Sequence, residues 1–367
     1  MKIFNVVGAR PNFMKIAPLL AEMRRHPDLR PILIHTGQHY DAGMSDVFFR
    51  DLEIPEPDLH LGVGSGSHAV QTAKIMVAFA EVVRKDRPDL VLVVGDVNST
   101  LACSVVAAKA QVRVAHVEAG LRSFDRTMPE EINRIVTDAL STFLFTTSPE
   151  AEMNLRNEGV SPEKIHFVGN VMIDSLERCS AKAEDSPIRR QLGVEGDYAL
   201  LTLHRPGNVD EAEPLRRIFR GLEEIARRIP ILFPIHPRTL RMLEEFGIST
   251  NLPGLRLMEP LGYLDFLHLE KHARLVLTDS GGIQEETTVL GVPCLTLRDN
   301  TERPITLTEG TNTLVGNDPD RIVAGTMQIL GGPPPAPRRP HLWDGKASDR
   351  IVSVLRTSGQ KYQERKA

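Results

Sequence analysis

Short runs of leucine and β-branched residues alternate with amphipathic helical segments along most of the chain. This alternation brings successive strands into parallel sheets through right-handed crossovers. Because the runs lack polar alternation, both faces of each sheet are expected to be covered by helices. The predicted strands are Ile3–Val7, Pro31–His35, Leu90–Val94, Arg113–Val117, Phe143–Thr147, Ile165–Val168, Tyr198–Leu203, Ile231–Ile235, Leu255–Met258, Leu275–Thr278 and Cys294–Leu297. The predicted helices include Phe13–Arg25, Ala69–Lys85, Pro129–Ser141, Glu211–Arg228, Pro319–Leu330 and Ser348–Lys361.

The length of 367 residues favours two domains, each large enough for its own core. The polar stretch Glu177–Asp197 separates two series of strands and is predicted to be the linker. The predicted domains are 1–176 and 177–347, and a helix at about 348–362 is expected to pack back on the first. The predicted fold class is α/β, with two Rossmann-like doubly wound domains facing a cleft. Ligands bind at the carboxyl ends of such strands.

Composition and charge exclude several classes of protein. A hydrophobic share of 41% and a charged share of 25% are ordinary for a soluble globular protein. A net charge of −4 without a dominant basic face predicts no nucleic-acid partner. No apolar run approaches membrane-spanning length, and the apolar stretch before Arg10 is too short for a signal peptide. Cys103, Cys179 and Cys294 show neither metal nor redox spacing, which predicts reduced thiols in a cytoplasm.

The segment Thr278–Pro304, TDSGGIQEETTVLGVPCLTLRDNTERP, carries the strongest sign of a ligand. A turn of Ser280, Gly281 and Gly282 joins a buried strand to a helix. Free backbone N–H groups and the helix dipole favour an anion there. Glycine also lets a phosphate approach the backbone closely.

The rest of the same segment adds groups suited to a nucleotide. Glu285 and Glu286 are expected in the first turn of the helix, where one of them can accept hydrogen bonds from ribose hydroxyls. Arg303 is a fork-shaped donor that suits a diphosphate. The segment predicts half of a nucleotide-diphosphate site without a Walker lysine motif.

Three carboxylates follow or approach successive strand ends in the first half of the chain: Asp96, Glu118 and Glu130. Taken alone, Asp96 reads as a helix N-cap, and Glu130 or Glu131 as a partner of the helix dipole. A carboxylate and the imidazole of His116 at the end of a buried strand are costly unless used or paired. As a set, the three acids are expected to converge on a sugar-sized site suited to general acid–base chemistry.

Further candidates stand directly after predicted strands. Arg10 and Lys15 lie near the start of the first helix, although an ordinary turn with solvated cations explains them equally well. His204 and His236 follow strands at matching positions in the second half, which suggests an anion site. Phe266 can stack on a base, although a core phenylalanine is the more frequent meaning of such a residue.

Taken together, these blocks resemble the non-hydrolysing UDP-N-acetylglucosamine 2-epimerase family. The matching pieces run in the family's order from residue 8 to about residue 304. The resemblance implies a glycosyltransferase-B-like fold with UDP between the domains, a homodimer, and neither NAD nor an essential metal. The pieces are GARPNFMKIAPL, TGQHYD, VVGDVNSTL, HVEAGLRS, PEEINR, GNVMIDSL, TLHRPGN, PIHP, EPLGYLDF, TDSGGIQEE and TERP.

The resemblance implies a role for each candidate residue. The residues around the hexose are Asp96, Glu118, Glu130 and His204. The residues that bind the diphosphate are Arg10, His236, Ser280, Gly281, Gly282 and Arg303. Glu286 holds the ribose, Phe266 flanks the uracil, and Lys15 and Arg134 complete the substrate-binding set.

The implied chemistry is loss of UDP from C1 and of a proton from C2, which gives a glycal, followed by re-addition of both with inversion at C2. The alternatives are a hydrolysing epimerase, a glycosyltransferase of the same architecture, a sugar-nucleotide sensor, and an epimerase of a 2,3-diacetamido or uronic-acid sugar. Many bacterial members of the family also carry a second, activating sugar-nucleotide site with an Arg and a Gln. Tyr40 and Asp46 replace those residues here, which predicts hyperbolic kinetics.

Overall fold

The computed structural model describes residues 1–38, 49–333 and 336–364, apart from the side chains of residue 10 and residues 360–364. The chain forms two compact units. Unit 1 comprises Met1–Arg178 and His341–Ala367, and unit 2 comprises Cys179–Pro340. Unit 2 is therefore inserted into the sequence of unit 1.

Unit 1 is built on a wholly parallel sheet with the strand order β3-β2-β1-β4-β5-β6-β7. Its strands are β1 (Lys2–Val7), β2 (Arg30–His35), β3 (Leu59–His60), β4 (Leu90–Val94), β5 (Arg113–Ala119), β6 (Phe143–Thr146) and β7 (Ile165–Phe167). The direction of winding reverses between β1 and β4. The loops after these two strands therefore border a crevice at the carboxyl edge of the sheet.

Helices cover both faces of this sheet, as the apolar strands require. Every residue of β4 is buried. Phe4, Val91 and Phe79 belong to one apolar cluster that joins strands to helices. The helices of unit 1 up to its boundary are α1 (Arg10–Arg24), α2 (His68–Lys85), α3 (Asn98–Lys109), α4 (Pro129–Leu140) and α5 (Pro149–Asn157), and α6 (Val171–Glu184) runs across the boundary.

Unit 2 repeats the same plan with a parallel sheet in the order β10-β9-β8-β11-β12-β13. Its strands are β8 (Ala199–Thr202), β9 (Ile231–Pro234), β10 (Leu255–Met258), β11 (Leu275–Thr278), β12 (Cys294–Thr296) and β13 (Asn312–Leu314). Its helices are α7 (Ile188–Gln191), α8 (Pro206–Val209), α9 (Ala212–Ala226), α10 (Pro237–Glu245), α11 (Tyr263–Lys271), α12 (Gly281–Leu290), α13 (Ile305–Thr308) and α14 (Pro319–Gly331). The winding reverses between β8 and β11, which places the second crevice after those strands.

The chain returns to unit 1 through Trp343 and a last helix, α15 (Ala347–Glu364). The Trp343 ring is buried, and its Nε1 donates to the Thr147 carbonyl at 2.8 Å. The Asp174 carboxylate accepts hydrogen bonds from the backbone N–H groups of Ala347 and Ser348, at 3.1 and 2.7 Å. These contacts fix the final segment against the body of unit 1.

The predicted α/β class, with two doubly wound parallel sheets, is confirmed, and every predicted strand and helix is present with small shifts at its ends. Much of the stretch predicted to be the linker, Glu177–Asp197, is helical, since α6 runs into it and α7 follows. Cys179, Ala183 and Ile188 are buried in this stretch, so its polar residues form only the outer face of helices. The short edge strands β3 and β13 were not predicted from the sequence.

Candidate functional site

A lysine, a glutamate and a glycine meet at the crevice of unit 1. Lys15 of α1 forms an ion pair with Glu118 of β5, and only 7% and 4% of the two side chains are exposed. Gly95 follows β4 with a φ of +67°, and a Cβ at this position would lie 2.8 Å from Lys15 Nζ and 3.3 Å from Glu118 Oε2. A side chain at position 95 would collide with the ion pair, so glycine is required where Lys15 and Glu118 meet beside the end of β4.

The backbone of Glu118 is itself unusual. Its φ is +75°, a left-handed conformation that side chains other than glycine rarely adopt. The pairing of β5 with β6 shifts register between Val117 and Ala119, so Glu118 sits in a bulge. Bulges at strand ends redirect a side chain, and strain of this kind is concentrated at functional sites. The local structure aims the Glu118 carboxylate at the crevice.

Asp96 adjoins this pair and is oriented by α4. Its carboxylate pairs with Arg134, and 24% of the Asp96 side chain remains exposed while the arginine is buried. Asn133 Nδ2 also donates to the Asp96 backbone carbonyl at 2.8 Å. Glu130 lies half-buried in the first turn of the same helix. Two acid–cation pairs, Lys15–Glu118 and Arg134–Asp96, thus lie at adjacent strand ends of the sheet.

The neighbouring imidazole is paired within the core. His116 is fully buried, its Nδ1 lies 2.6 Å from Asp138 Oδ1, and its Nε2 donates to the Gly95 carbonyl at 2.9 Å. Asp138 also pairs with Arg122 at 2.7 Å. Burial raises the pKa of Asp138, but His116 and Arg122 outweigh it and hold the pKa below the ordinary value. We assign this cluster to stabilising the strand ends that carry Gly95 and Glu118.

Glu131 is likewise structural. It is 1% exposed and accepts hydrogen bonds from the backbone N–H groups of Ser123 and Phe124, at 3.0 and 2.9 Å. It also pairs with Arg134 at 2.6 Å. Of the two adjacent glutamates, Glu131 therefore fixes the loop and the arginine, whereas Glu130 is the one that stays a candidate for the site.

The crevice of unit 2 is formed by the turn between β11 and α12. Ser280 is the N-cap residue, and the first turn of α12 contains no acidic side chain. Glu285 and Glu286 were predicted in that first turn, but α12 begins at Gly281 and places them one turn later. The first N–H groups of α12 are therefore unopposed by a carboxylate of their own turn, which favours an anionic ligand.

Arginine side chains surround this turn. A Cβ on Gly281 would lie 2.3 Å from Arg303 Nη1, so glycine lets the guanidinium lie against the backbone. Arg303 pairs with Glu285 at 2.8 Å and Glu302 at 2.6 Å, and Glu302 also pairs with Arg298 at 2.8 Å. Arg205 lies 3.5 Å from the same Glu302. Three guanidiniums thus gather near this turn, which suits an anion.

Asp279 joins the two strand ends of the unit 2 crevice, and the candidate residues chosen from the sequence did not include it. It is fully buried and accepts from the N–H groups of His204 and Arg205, with the shortest distances 3.0 and 2.8 Å. Its carboxylate also lies 3.0 Å from His204 Nδ1. Burial raises its pKa, but His204 and these N–H groups outweigh it and lower the value to about 2. The acid directly before the Ser-Gly-Gly turn was the signal that could have identified it.

We expect the Asp279→Asn variant to lose an acid-sensitive part of its stability. The pKa of this carboxyl falls from 3.8 to about 2 on folding. Because the pKa is lower in the folded protein, the Asp279 carboxylate stabilises the fold by about 2 kcal/mol at pH values above its pKa in the unfolded chain. This stabilisation is lost as the pH falls towards the pKa of the folded protein. The difference in unfolding free energy between wild type and variant, measured in urea, should therefore narrow from about pH 5 to about pH 3. The exposed Asp197→Asn change is the control and should show a constant, small difference; a constant gap for Asp279→Asn would contradict the assignment.

His236 and Phe266 occupy different environments at this end of unit 2. His236 is exposed at the N-cap of α10, and its ring centroid lies 6.2 Å from that of His204. Phe266 is half-buried and packs against an apolar cluster of the core. The two predicted histidines are therefore neighbours, as matching strand ends require.

Glu286 and Tyr263 form a buried pair between α12 and α11. The Tyr263 hydroxyl donates to Glu286 Oε1 at 2.7 Å. Burial raises the pKa of Glu286 to about 7, with Glu285 adding to the rise and the tyrosine opposing it. Glu286, the predicted ribose ligand, therefore has a pKa close to neutral pH. Its hydrogen bond with Tyr263 was not predicted from the sequence.

Some predictions concern parts of the chain that the structure leaves out. The side chain of Arg10 lies outside the described residues, as do Tyr40 and Asp46. Their assigned roles stay predictions. Among the helices of the described residues, none combines the length and apolar character needed to cross a membrane.

Comparison with known proteins identifies close relatives. The family model described as UDP-N-acetylglucosamine 2-epimerase matches residues 21–356. A UDP-N-acetylglucosamine 2-epimerase of Methanocaldococcus jannaschii is 43% identical, over 97% of this chain and 99% of the relative. A crystal structure of M. jannaschii UDP-GlcNAc 2-epimerase in complex with UDP-GlcNAc and UDP has a TM-score of 0.93 and 42% identity, over 97% of this chain and 100% of that one. A UDP-2,3-diacetamido-2,3-dideoxy-D-glucuronate 2-epimerase of Pseudomonas aeruginosa is 42% identical, over 90% of this chain and 93% of the relative.

Proposed function

Because this chain belongs to the UDP-N-acetylglucosamine 2-epimerase family, we propose that it reversibly epimerises UDP-N-acetylglucosamine at C2 to UDP-N-acetylmannosamine. The observation that carries the proposal is the pairing of acids with cations at the switch point of unit 1. Glu118 is held by Lys15 and Asp96 by Arg134. Carboxylates with a fixed orientation and a basic partner are what proton transfer on a sugar requires.

In the proposed reaction a carboxylate of unit 1 removes the C2 proton while the C1–O bond to UDP breaks. The C2–H electron pair becomes the C1=C2 double bond of a glycal, and the C1–O pair leaves with UDP. An acid then returns a proton to the opposite face of C2, and a UDP oxygen re-forms the bond to C1. Since proton and UDP are both returned, the net reaction is redox-neutral and uses no hydride carrier.

Breakage of the C1–O bond to UDP must run ahead of proton removal from C2, because a hydrogen beside an acetamido nitrogen is only weakly acidic. Positive charge then builds at C1 and the ring oxygen, and the carboxylates of Asp96, Glu118 and Glu130 stabilise it. We assign the leaving diphosphate to unit 2. The N–H groups that open α12 and the guanidinium of Arg303, which lies against Gly281, support this assignment.

The other candidates keep the roles that the resemblance implies. Glu286 binds the ribose, His204 and His236 face the sugar and the diphosphate, and Phe266 flanks the base. The placement of His204 and His236 directly after strands of the unit 2 sheet supports their roles. Arg10 belongs to the same proposal as a diphosphate ligand.

A second substrate competes with the first. The 42% identical relative of P. aeruginosa carries the name of a diacetamido-glucuronate epimerase, so identity of this size does not distinguish the substituents at C3 and C6. Both candidate reactions break and form the same bonds at C1 and C2. The site chemistry above therefore applies to either sugar.

We expect the purified protein to place deuterium at C2 when it turns over UDP-N-acetylglucosamine in deuterated water, without added NAD or metal. Proton NMR of the recovered sugar nucleotides measures the exchange, and a parallel reaction with the diacetamido-glucuronate substrate tests the second candidate. The Glu118→Gln variant should show almost no exchange. Product that retains its C2 proton contradicts the mechanism, and free N-acetylmannosamine with UDP indicates the hydrolysing alternative.

The Arg303→Lys variant should bind UDP at least about tenfold more weakly, because lysine keeps the charge but loses the two-pronged contact worth about 1.5–3 kcal/mol. Calorimetry at fixed salt measures the affinity. Arg228→Lys, at a side chain that is 63% exposed, is the matched control. Equal UDP affinity in the Arg303→Lys variant and the wild type would show that the diphosphate does not bind at this arginine.

We also infer a homodimer in a cytoplasmic location. The inference of a dimer is supported by Val70 and Val77 of α2, which lie seven residues apart on one helix face and are 50% and 70% exposed. Light scattering that gives a monomer mass would contradict it. Three buried, unbridged cysteines support a reducing compartment.

A further inference from the structure

Two histidines and a glutamate lie together in unit 2, apart from the crevice. His268 and His272 are four residues apart at the end of α11, and Glu184 is the last residue of α6. One potential ligand atom from each side chain lies within 4.8 Å of the other two. Of the residues that the structure describes, only these three form a His, Cys, Asp or Glu group that meets this distance.

The hydrogen bonds of the two imidazoles fix their tautomers. His268 Nδ1 donates to the Ala183 carbonyl at 2.8 Å, and His272 Nδ1 donates to the His268 carbonyl at 2.8 Å. A carbonyl can only accept, so in each neutral ring the lone pair is on Nε2. Histidines that bind metals are held in the same way, by donation from the other ring nitrogen.

The carboxylate is already oriented towards the second ring. Lys271 pairs with Glu184 Oε1 and lies 3.3 Å from Ser180 Oγ, while Glu184 Oε2 lies 3.8 Å from His272 Nε2. The Glu184 side chain is 44% exposed, so it can move by the ångström or so that coordination needs. The ammonium holds one oxygen and leaves the other for a cation.

The chemistry of the three groups selects the kind of ion. Two imidazoles and one carboxylate are typical ligands of Zn²⁺ and its neighbours, whereas Ca²⁺ and Mg²⁺ prefer oxygen alone. A tetrahedral site with metal–ligand bonds of about 2.0–2.1 Å brings ligand atoms to about 3.3 Å from each other. Glu184 Oε2 and His272 Nε2 lie 3.8 Å apart, and rotation of the exposed glutamate can close that difference.

We propose that Glu184, His268 and His272 bind one Zn²⁺ ion, with water as the fourth ligand. The ion is structural. It ties the end of α6 to the end of α11, the helix whose opposite end carries Tyr263 and Phe266. A bound ion stabilises unit 2 in proportion to the logarithm of its free concentration.

The experiment is a calorimetric titration of the metal-free full-length protein with ZnCl₂, repeated with CoCl₂ and visible absorption. We expect one ion per chain, an intense four-coordinate cobalt spectrum, and a melting temperature that rises with added zinc. His268→Gln, His272→Gln and Glu184→Gln should each weaken zinc binding at least about tenfold. His26→Gln is the matched control, because His26 lies 2.9 Å from Glu22 on α1 without a second imidazole.

Two results would overturn the proposal. One is wild-type protein that binds no zinc at micromolar concentration. The other is stoichiometric binding that survives in all three ligand variants, which would place the ion elsewhere. Lys271→Gln provides an independent measurement, since removal of the competing ammonium should tighten zinc binding, and an unchanged affinity contradicts Glu184 as a ligand.

Discussion

Asp96→Asn, Glu118→Gln and Glu130→Gln each lower the turnover number by about a hundredfold or more, the range expected for the loss of an acid–base group. The amide keeps the size of each side chain but can neither take up the C2 proton nor stabilise positive charge at C1. The largest loss is expected for Glu118, because its bulge and its ion pair with Lys15 commit it to one orientation. UDP affinity should change little, since these groups act on the sugar.

The measurement is steady-state turnover with UDP binding on the same preparations. Asp86→Asn is the control, as an aspartate of unit 1 that is 55% exposed and pairs with Lys2. Melting temperatures show whether a variant is inactive because it is unfolded. Near-native turnover in all three variants would show that the crevice of unit 1 takes no part in the reaction.

Asp138→Ala should cost about 3–5 kcal/mol of unfolding free energy, the range for breaking a buried ion pair from one side. The change takes from His116 and Arg122, both buried, the carboxylate with which they pair, and it removes the acceptor of the Gly120 N–H, 3.0 Å away. Urea unfolding measures the loss. Glu158→Ala is the control because Glu158 pairs with the same Arg122 but is 37% exposed. A surface pair of this kind contributes at most about 1 kcal/mol, so an equally small loss for Asp138 would show that the cluster is not essential.

The strands and the crevice positions were predictable because they depend on local patterns. A buried run such as Leu90–Val94 can hardly be anything but a central strand, and the residues after it must lie at the carboxyl edge. Asp96, Ser280 and Gly281 follow from that rule alone. The short strands at the sheet edges contain no such apolar run. The end of α6, from Glu177 onwards, is mostly polar, so the few apolar residues on its buried face did not indicate a helix.

Contacts between residues that are far apart in the chain could not be predicted from the sequence. Nothing near Asp279 in the chain shows that it accepts the N–H groups of His204 and Arg205. The choice between Glu130 and Glu131 is of the same kind, since both lie in the first turn of α4 and only Glu131 accepts the backbone N–H groups of residues 123–124. The pairing of Glu286 with Tyr263 also joins residues that are far apart in sequence.

The insertion of unit 2 into unit 1 has a consequence for synthesis. Unit 2 is one continuous stretch, Cys179–Pro340, and can fold as soon as it has left the ribosome. Unit 1 begins first but finishes last, because Trp343 and α15 are made only after all of unit 2. Until then the carbonyl of Thr147 and the carboxylate of Asp174 lack the partners that the final segment supplies. The half of the chain that carries the acid set is thus completed only after unit 2 has been synthesised.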